Sequence, residues 1–451
     1  PTTCSDNNDC NGIEVCDPAT GGCVTGPALD CEATEYDGCA GPQACQAPGT
    51  CVSQGNPACP AEPDECGGSG GVDWPETGTF SDSVAEAFVL KDEGQWEEKA
   101  ALVDAIVAHS STTLTTMESI LFNNLNRTGE QITVPGVDCF KYGFYWNDGD
   151  NKVDYWWPQG VSNSGVGYGD TTKGEDGKVL GRDVLLVAWY HKAEEDSSTS
   201  TYKGVRISIV DVSYINEFKY RHVILAEPVP GDDPAHPDLV PIASASSSVH
   251  AGGIAWYGDY LYVADTSKGL RVFDLTKMFQ VQTGKKGSLG YVASSDEYHG
   301  YNYRYVLPQV GRYKKCSQTC CARFSWVSVD PTTDPPSLLA GEYTDANVKG
   351  RAHRWDLDPE TSRLALSQGV SRASAVYFPG VKRMQGAVTI DGALFVSSSQ
   401  PKTSLPVSAG TLYHADGLGE EMEDHQYPTL PEDLSYNPFW DDIRTCTEKP
   451  Q

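Results

Sequence analysis

The chain is 451 residues long, 39% apolar and 10% aromatic, with a formal charge of −29. That length and apolar content support a large core and more than one domain, and they exclude global disorder. The charge excludes nucleic acid and anionic membrane surfaces as partners, leaving cationic, neutral or calcium-bridged ones; simple solubility in an extracellular or salty medium also accounts for it.

No apolar run approaches the roughly 18 residues of a membrane span, so no transmembrane segment is expected. The sequence opens with neither Met nor a signal-like segment and reads as an already processed, exported chain. Of its 15 cysteines, ten fall within residues 1–66. Cys4, Cys10, Cys16 and Cys23, then Cys31, Cys39, Cys45 and Cys51, form two similar sets followed by Cys59 and Cys66. Spacers of Gly, Pro, Asn, Asp, Thr and Ala can bury little. Residues 1–66 are therefore expected to be a disulfide-rich acidic head, secreted or displayed on a cell surface. A zinc site would call for CxxC pairs or histidines, and the head has neither.

Residues 67–130 read as a linker, Gly67 to Gly78, followed by amphipathic helices. Leu102, Val103, Ile106 and Val107, then Leu114, Met117, Ile120 and Leu121, recur at spacings of three and four between Gln95 and Leu125. Asn126-Arg127-Thr128 is a glycosylation sequon.

Residues 131–451 change to short strands separated by Gly, Asp, Asn and Pro turns. His250–Leu275 gives three strands, within HAGGIAWYGD, YLYVADTSK and GLRVFDL. The same order recurs in Phe324–Asp358 and Gln385–Gly417; Trp157–Pro228 adds a fourth strand, and Pro431–Gln451 holds a partial unit. Repeated up-and-down sheets that cannot cover both faces alone predict a mostly β fold, a β-propeller. Five blades are favoured, with six or seven possible if Gln280–Cys321 hides further strands. The short last blade is expected to borrow Phe140–Trp146, with a Cys139–Cys446 bridge stapling the closure.

Ile254 to Leu275, Lys203-Gly204-Val205-Arg206 with Tyr220-Arg221-His222-Val223, and Pro431 to Tyr436 resemble a family of secreted actinobacterial β-propeller proteins. The resemblance covers about residues 139–451 and implies fold and secretion. That family has no established activity, so it carries no catalytic residues across. The head resembles small Cys-rich modules of myxobacterial surface proteins, which implies a stalk or spacer.

Superposing the repeats brings ten polar positions to one face. Gln159, His250, Arg323, Gln385 and Glu432 begin first strands; His191, Asp265, Glu342, Ser398 and Glu448 end second strands. Ordinary hydrogen bonding between blades accounts for such a face, and so does a site. For binding, the expected set is Gln159, His250, Arg323, Gln385, Glu432 and His191, with an extracellular polymer or surface protein as partner. For catalysis the candidates are Glu432, Asp265, Glu342 and His250, because glycoside cleavage needs paired acids. A uronate lyase would instead use His and Tyr, such as His250, His191 and Tyr257. His191, His250, Asp265 and Glu342 could also hold a metal. Asp148, Asp150 and Asp154 form a weaker calcium loop that lacks the Gly and closing Glu of an EF-hand. Cys316, Cys320 and Cys321 are expected to be bridged. Trp146, Trp156 and Trp157 cluster with Tyr145 and Tyr155, either as core or as a stacking surface. The leading function is a secreted binding protein. The alternatives are an extracellular carbohydrate-active enzyme and a structural component of a surface assembly.

Overall fold

The computed structural model describes residues 88–448 apart from 135–136, 138, 168–176, 199–200, 244–247, 316–321, 345–349, 378, 401–409 and 418–421, with four short strands nearer the N-terminus. The fold is mostly β, 49% strand and 9% helical, and its largest sheet is nearly closed and barrel-like.

The strands fall into five consecutive up-and-down groups. The first comprises Trp156–Asn163, Val184–His191, Val205–Asp211 and Phe218–Val229. Its two middle strands are buried along their whole length, the pattern of strands covered on both faces. The second group is Ile254–Tyr257, Tyr260–Asp265, Gly269–Asp274 and the long Tyr305–Lys315. The third is Trp326–Asp330, Ser337–Gly341 and Ala352–Asp358, edged by Ala375–Tyr377; the fourth is Met384–Ile390, Ala393–Ser398, Gly410–Ala415 and Glu423–Tyr427. The fifth has two strands, Pro431–Asn437 and Asp442–Thr447. Each repeat thus appears as a strand group, and the outermost strands of the second, third and fourth are those that sequence periodicity did not reveal. Among the described residues, the stretch 280–321 adds Leu289–Val292 and Glu297–Gly300, a separate hairpin, besides the long outer strand of the second group.

The first strands of these groups touch in a closed circuit. Ser162 Oγ accepts from Trp256 N at 2.9 Å, and Ser328 Oγ donates to Ala387 O at 2.6 Å. Asn163 Nδ2 donates to Ser435 Oγ at 2.7 Å. Glycine permits two more close approaches, since a Cβ on Gly253 would overlap the Val327 backbone and one on Gly386 that of Asp433 and Leu434.

Outer strands fuse neighbouring groups. Ile224–Ala226 pairs in parallel with Val306–Pro308, joining the first two, and Val89–Asp92 pairs with both Tyr305–Lys315 and Val370–Arg372. The expected helices are present as Trp96–Val107 and Met117–Asn123, the second capped by Thr116 Oγ1 accepting from Ser119 N. Ile106 packs against Ile224, Ala226, Phe279 and Val306, so the first helix covers the parallel junction.

The expected strand loan does not occur. Gly143–Tyr145 pairs with Arg127–Ile132, which in turn pairs with Phe218–Tyr220 of the first group. Aromatic burial accounts for this choice: Phe144 stacks on Phe218 at 4.8 Å, and Trp146 meets Trp189 at 4.7 Å. Cys139 and Cys446 are both free thiols, and Cys446 Sγ donates to Gln159 O at 2.9 Å. In the head, Glu14–Cys16 pairs with Cys23–Thr25 and Gln43–Gln46 with Thr50–Ser53. These hairpins occupy corresponding places in the two cysteine sets. The head's disulfides, the linker Gly67–Gly78 and the Cys316, Cys320, Cys321 group lie outside the described residues.

The short fifth group is fastened to the first by a buried bidentate pair, Arg444 Nη1 and Nη2 donating to Asp183 Oδ1 and Oδ2 at 2.8 and 2.7 Å. Arg444→Ala leaves the Asp183 carboxylate buried and uncompensated, and is expected to cost about 3–5 kcal/mol in urea denaturation. Lys152→Ala removes only an exposed i,i+4 pair with Asp148 and should change stability by no more than about 0.5 kcal/mol.

Candidate functional site

Several of the ten polar positions are consumed by local ion pairs. Asp265 is buried and accepts from Arg271 Nε at 2.9 Å. Glu342 takes both Arg351 Nε and Nη2, at 2.9 and 2.8 Å, together with the backbone N–H of Arg323 at 3.1 Å. Arg351 holds the Glu342 carboxyl below its ordinary range, at about 2, against the opposing effect of burial. His191 is buried with Nε2 3.0 Å from Asp196 Oδ2, while Lys203 N donates to its Nδ1. Ser398 Oγ donates to Lys382 O. These contacts account for the polarity of Asp265, Glu342, His191 and Ser398 through structure alone.

A second subset does converge, and bulges cause it. Between Pro158 and Val161 the pairing to the second strand skips Gln159 and Gly160; it skips Gln385 between Met384 and Gly386, and Glu432 with Asp433 between Pro431 and Leu434. The same irregularity therefore sits near the start of the first strand in the first, fourth and fifth groups. A bulge re-aims side chains that regular pleating would turn elsewhere. Gln159 Nε2 donates to Glu448 Oε1 at 3.2 Å, and Glu432 lies beside Gln159 and Glu448. Tyr190 faces Glu448 and Glu432, and His250, exposed, stacks on Tyr190 with ring centres 4.6 Å apart. Gln385 is partly exposed on the fourth group.

Glu432 is 1% exposed, and its Oε2 has no hydrogen-bond partner. Burial raises its pKa well above the carboxylate range, Glu448 and Asp433 push the same way, and Gln159 opposes them. Asp433, also fully buried, accepts from Val161 N and Ile254 N through Oδ2 at 3.1 Å each, leaving Oδ1 without a partner. Burial raises its pKa too, against the pull of those backbone donors. Two buried carboxyls with raised pKa values thus lie at the circuit of first strands.

The metal readings from sequence are not assembled. Asp150 is buried between Arg127, Arg206, His222 and Tyr220, whereas Asp148 and Asp154 are exposed, so the calcium loop does not converge. No three of His191, His250, Asp265 and Glu342 bring ligand atoms together; among the described residues, the groups that do are His109 with His236 and Asp296, and His414 with Glu423 and His425.

Asp150 ends a line of polar groups that the sequence did not announce. Trp189 Nε1 donates to Ser208 Oγ at 2.8 Å, Ser208 Oγ lies 2.9 Å from His222 Nδ1, and His222 Nε2 lies 2.9 Å from Asp150 Oδ1. The residue types are those of an acyl-transfer relay. Ser208 is sealed from solvent, however, and its oxygen is occupied by Trp189. Burial, assisted by Arg206, lowers the His222 pKa to about 3, so the ring is neutral and the line is a structural one.

Next to the fifth group lies a cavity of about 520 Å3. The segment around Tyr142, Phe144 and Trp146 forms one wall, Trp156, Trp157 and Trp189 another, and the edge strand through Ile443 and Cys446 a third. Glu448 and Pro158 also line it, so the aromatic cleft reaches the Gln159–Glu448–Glu432 cluster. No known protein-family model matches this chain, and a search of curated proteins finds no relative.

Glu432 supplies a pH test. Its folded pKa is raised, so the unfolded chain loses the proton first and stability falls as pH climbs above about 4.5 towards the folded value. Glu432→Gln, which mimics the protonated acid, is expected to be more stable than the parent at pH 8. That advantage should shrink to nothing below pH 4.5 in denaturation curves measured across pH.

Proposed function

We propose that the chain is an exported, five-bladed β-propeller that binds an extended ligand, a polymer or a surface protein segment, in the aromatic cleft between its first and last blades. The closed circuit of five first strands supports the blade count. The resemblance to secreted actinobacterial propellers and the cysteine-dense head support export.

The observation that carries the binding reading is the incomplete fifth group. Asp442–Thr447 pairs with no strand among the described residues besides Pro431–Asn437, yet it borders a large aromatic cavity. An edge strand offers backbone groups to an incoming chain, and aromatic faces stack on sugar rings or side chains. The paired state of Asp265 and Glu342 removes two of the acids a channel enzyme would use.

Glycan and peptide arrays probed with the full chain, followed by tryptophan-fluorescence titration of each hit, test this. Trp157→Ala should weaken a true ligand about fivefold, in line with about 1 kcal/mol for one aromatic contact. Trp440→Ala, exposed and outside the cleft lining, should not. Ligands indifferent to Trp157 would move the site elsewhere.

One observation favours a second reading. Glu432, its pKa raised by burial and by Glu448, has the disposition of an acid next to a carboxylate in glycoside cleavage. Shortening of a bound glycan by the parent protein, abolished in Glu432→Gln with binding retained, would establish the enzyme. Binding without shortening leaves the binding protein.

A further inference from the structure

Three segments remote in sequence meet away from the cleft. His109 follows the helix Trp96–Val107, His236 lies in the turn before strand Asp238–Pro241, and Asp296 lies in the turn of the hairpin Leu289–Val292 with Glu297–Gly300. One ligand atom from each lies within 4.8 Å of the others. His109 Nε2 is 3.2 Å from Asp296 Oδ1.

Their surroundings fix all three. Asp233 Oδ2 lies 3.0 Å from His236 Nδ1, and Ala235 N donates to Asp233 Oδ1 at 3.0 Å. A carboxylate there accepts the hydrogen bond of Nδ1–H and leaves the Nε2 lone pair for a ligand, the usual outer partner of a metal-bound imidazole. Tyr291 stacks flat on His236 at 4.2 Å, and the Tyr291 hydroxyl donates to Asp296 Oδ1 at 2.8 Å. His109 Nδ1 is 2.8 Å from Ser111 Oγ, itself held by Tyr298 N at 3.0 Å. The imidazole side chains are only 12% and 27% exposed, while Asp296 opens to solvent at 69%.

We propose that His109, His236 and Asp296 bind one divalent transition-metal ion of the zinc class. Two imidazoles and one carboxylate suit zinc and its neighbours and disfavour calcium and magnesium, which take all-oxygen sets. A water completes the tetrahedron on the open side of Asp296. The ion replaces the hydrogen that now joins His109 to Asp296, and the ring's N–H moves to Nδ1, where Ser111 Oγ accepts it in place of the bond that Ser111 N now donates to Nδ1 at 3.2 Å. The bound ion ties the helix end, the turn and the hairpin together. For the other cluster, His414, Glu423 and His425, no such outer partner is found among the described residues; His414 Nε2 lies 3.1 Å from Asp416 Oδ1 and His425 Nε2 3.8 Å from Glu423 Oε2.

The test uses the full oxidised chain, stripped with a chelator and titrated with Co2+ and Zn2+ against a chromophoric competitor. The expected result is one tight site with a tetrahedral Co2+ spectrum lacking a thiolate band. His109→Ala and His236→Ala should each lower affinity at least 100-fold, and Asp233→Asn about 10- to 100-fold. Circular dichroism of the metal-free variants should match the parent, which separates loss of ligation from loss of fold. His414→Ala with His425→Ala should leave the tight site unchanged. Parent-like affinity in His109→Ala and His236→Ala, a thiolate band, or loss of the tight site in the His414, His425 variant would each overturn the proposal.

Discussion

The structure depends on joining a two-stranded last group to a four-stranded first one. Such a junction offers few backbone hydrogen bonds between groups, so side chains must hold it. Arg444 reaches across to Asp183 with two parallel donors, and Asp433 accepts backbone N–H groups from both the first and the second group. A buried guanidinium–carboxylate pair is costly to desolvate and costlier still to break, which makes this contact specific more than strongly stabilising. With it in place, each first strand has a neighbour on either side. The aromatic segment 140–146 can then lie over the first group without pairing to the fifth, and the cleft forms in the space left over.

Buried arginine–carboxylate pairs recur elsewhere in the fold. Arg271 with Asp265, Arg351 with Glu342, and Arg354 with Asp330 sit in the second and third groups. Arg354 also donates to Thr389 of the fourth group at 2.8 Å, so the pair reaches its neighbour. The effect on the function question is subtractive. Each such pair removes a carboxylate from the set available for chemistry, and among the described buried acids Glu432 and Asp433, carried by one bulge, keep an oxygen without a partner.

That bulge links fold to site. A regular strand would place Glu432 and Asp433 on opposite faces. Two residues opposite one partner turn Asp433 towards Val161 and Ile254 while Glu432 joins Gln159 and Glu448. Both carboxyls then sit where water is excluded, and the neutral form is the one burial favours. The raised pKa of Glu432 is therefore a consequence of backbone irregularity as much as of its neighbours.

Much of the fold was legible in the residues. Period-two apolar runs between Gly and Asp turns marked the first three strands of each repeat, and apolar spacings of three and four marked both helices, because these patterns report local burial. Gln159-Gly160 and Gln385-Gly386 are a repeated pair that signals the bulges in retrospect. The sequence by itself thus determined the strand repeat and the helices. Only the tertiary structure decided that Phe140–Trp146 packs on Phe218 and Trp189 instead of pairing with the last strand, that Arg271 and Arg351 neutralise Asp265 and Glu342, and that His109, His236 and Asp296 meet. Those outcomes turn on which side chains become neighbours when distant segments pack. No local periodicity carries that information, because burial and pairing energies are set by the partner across the interface and not by the residue next along the chain.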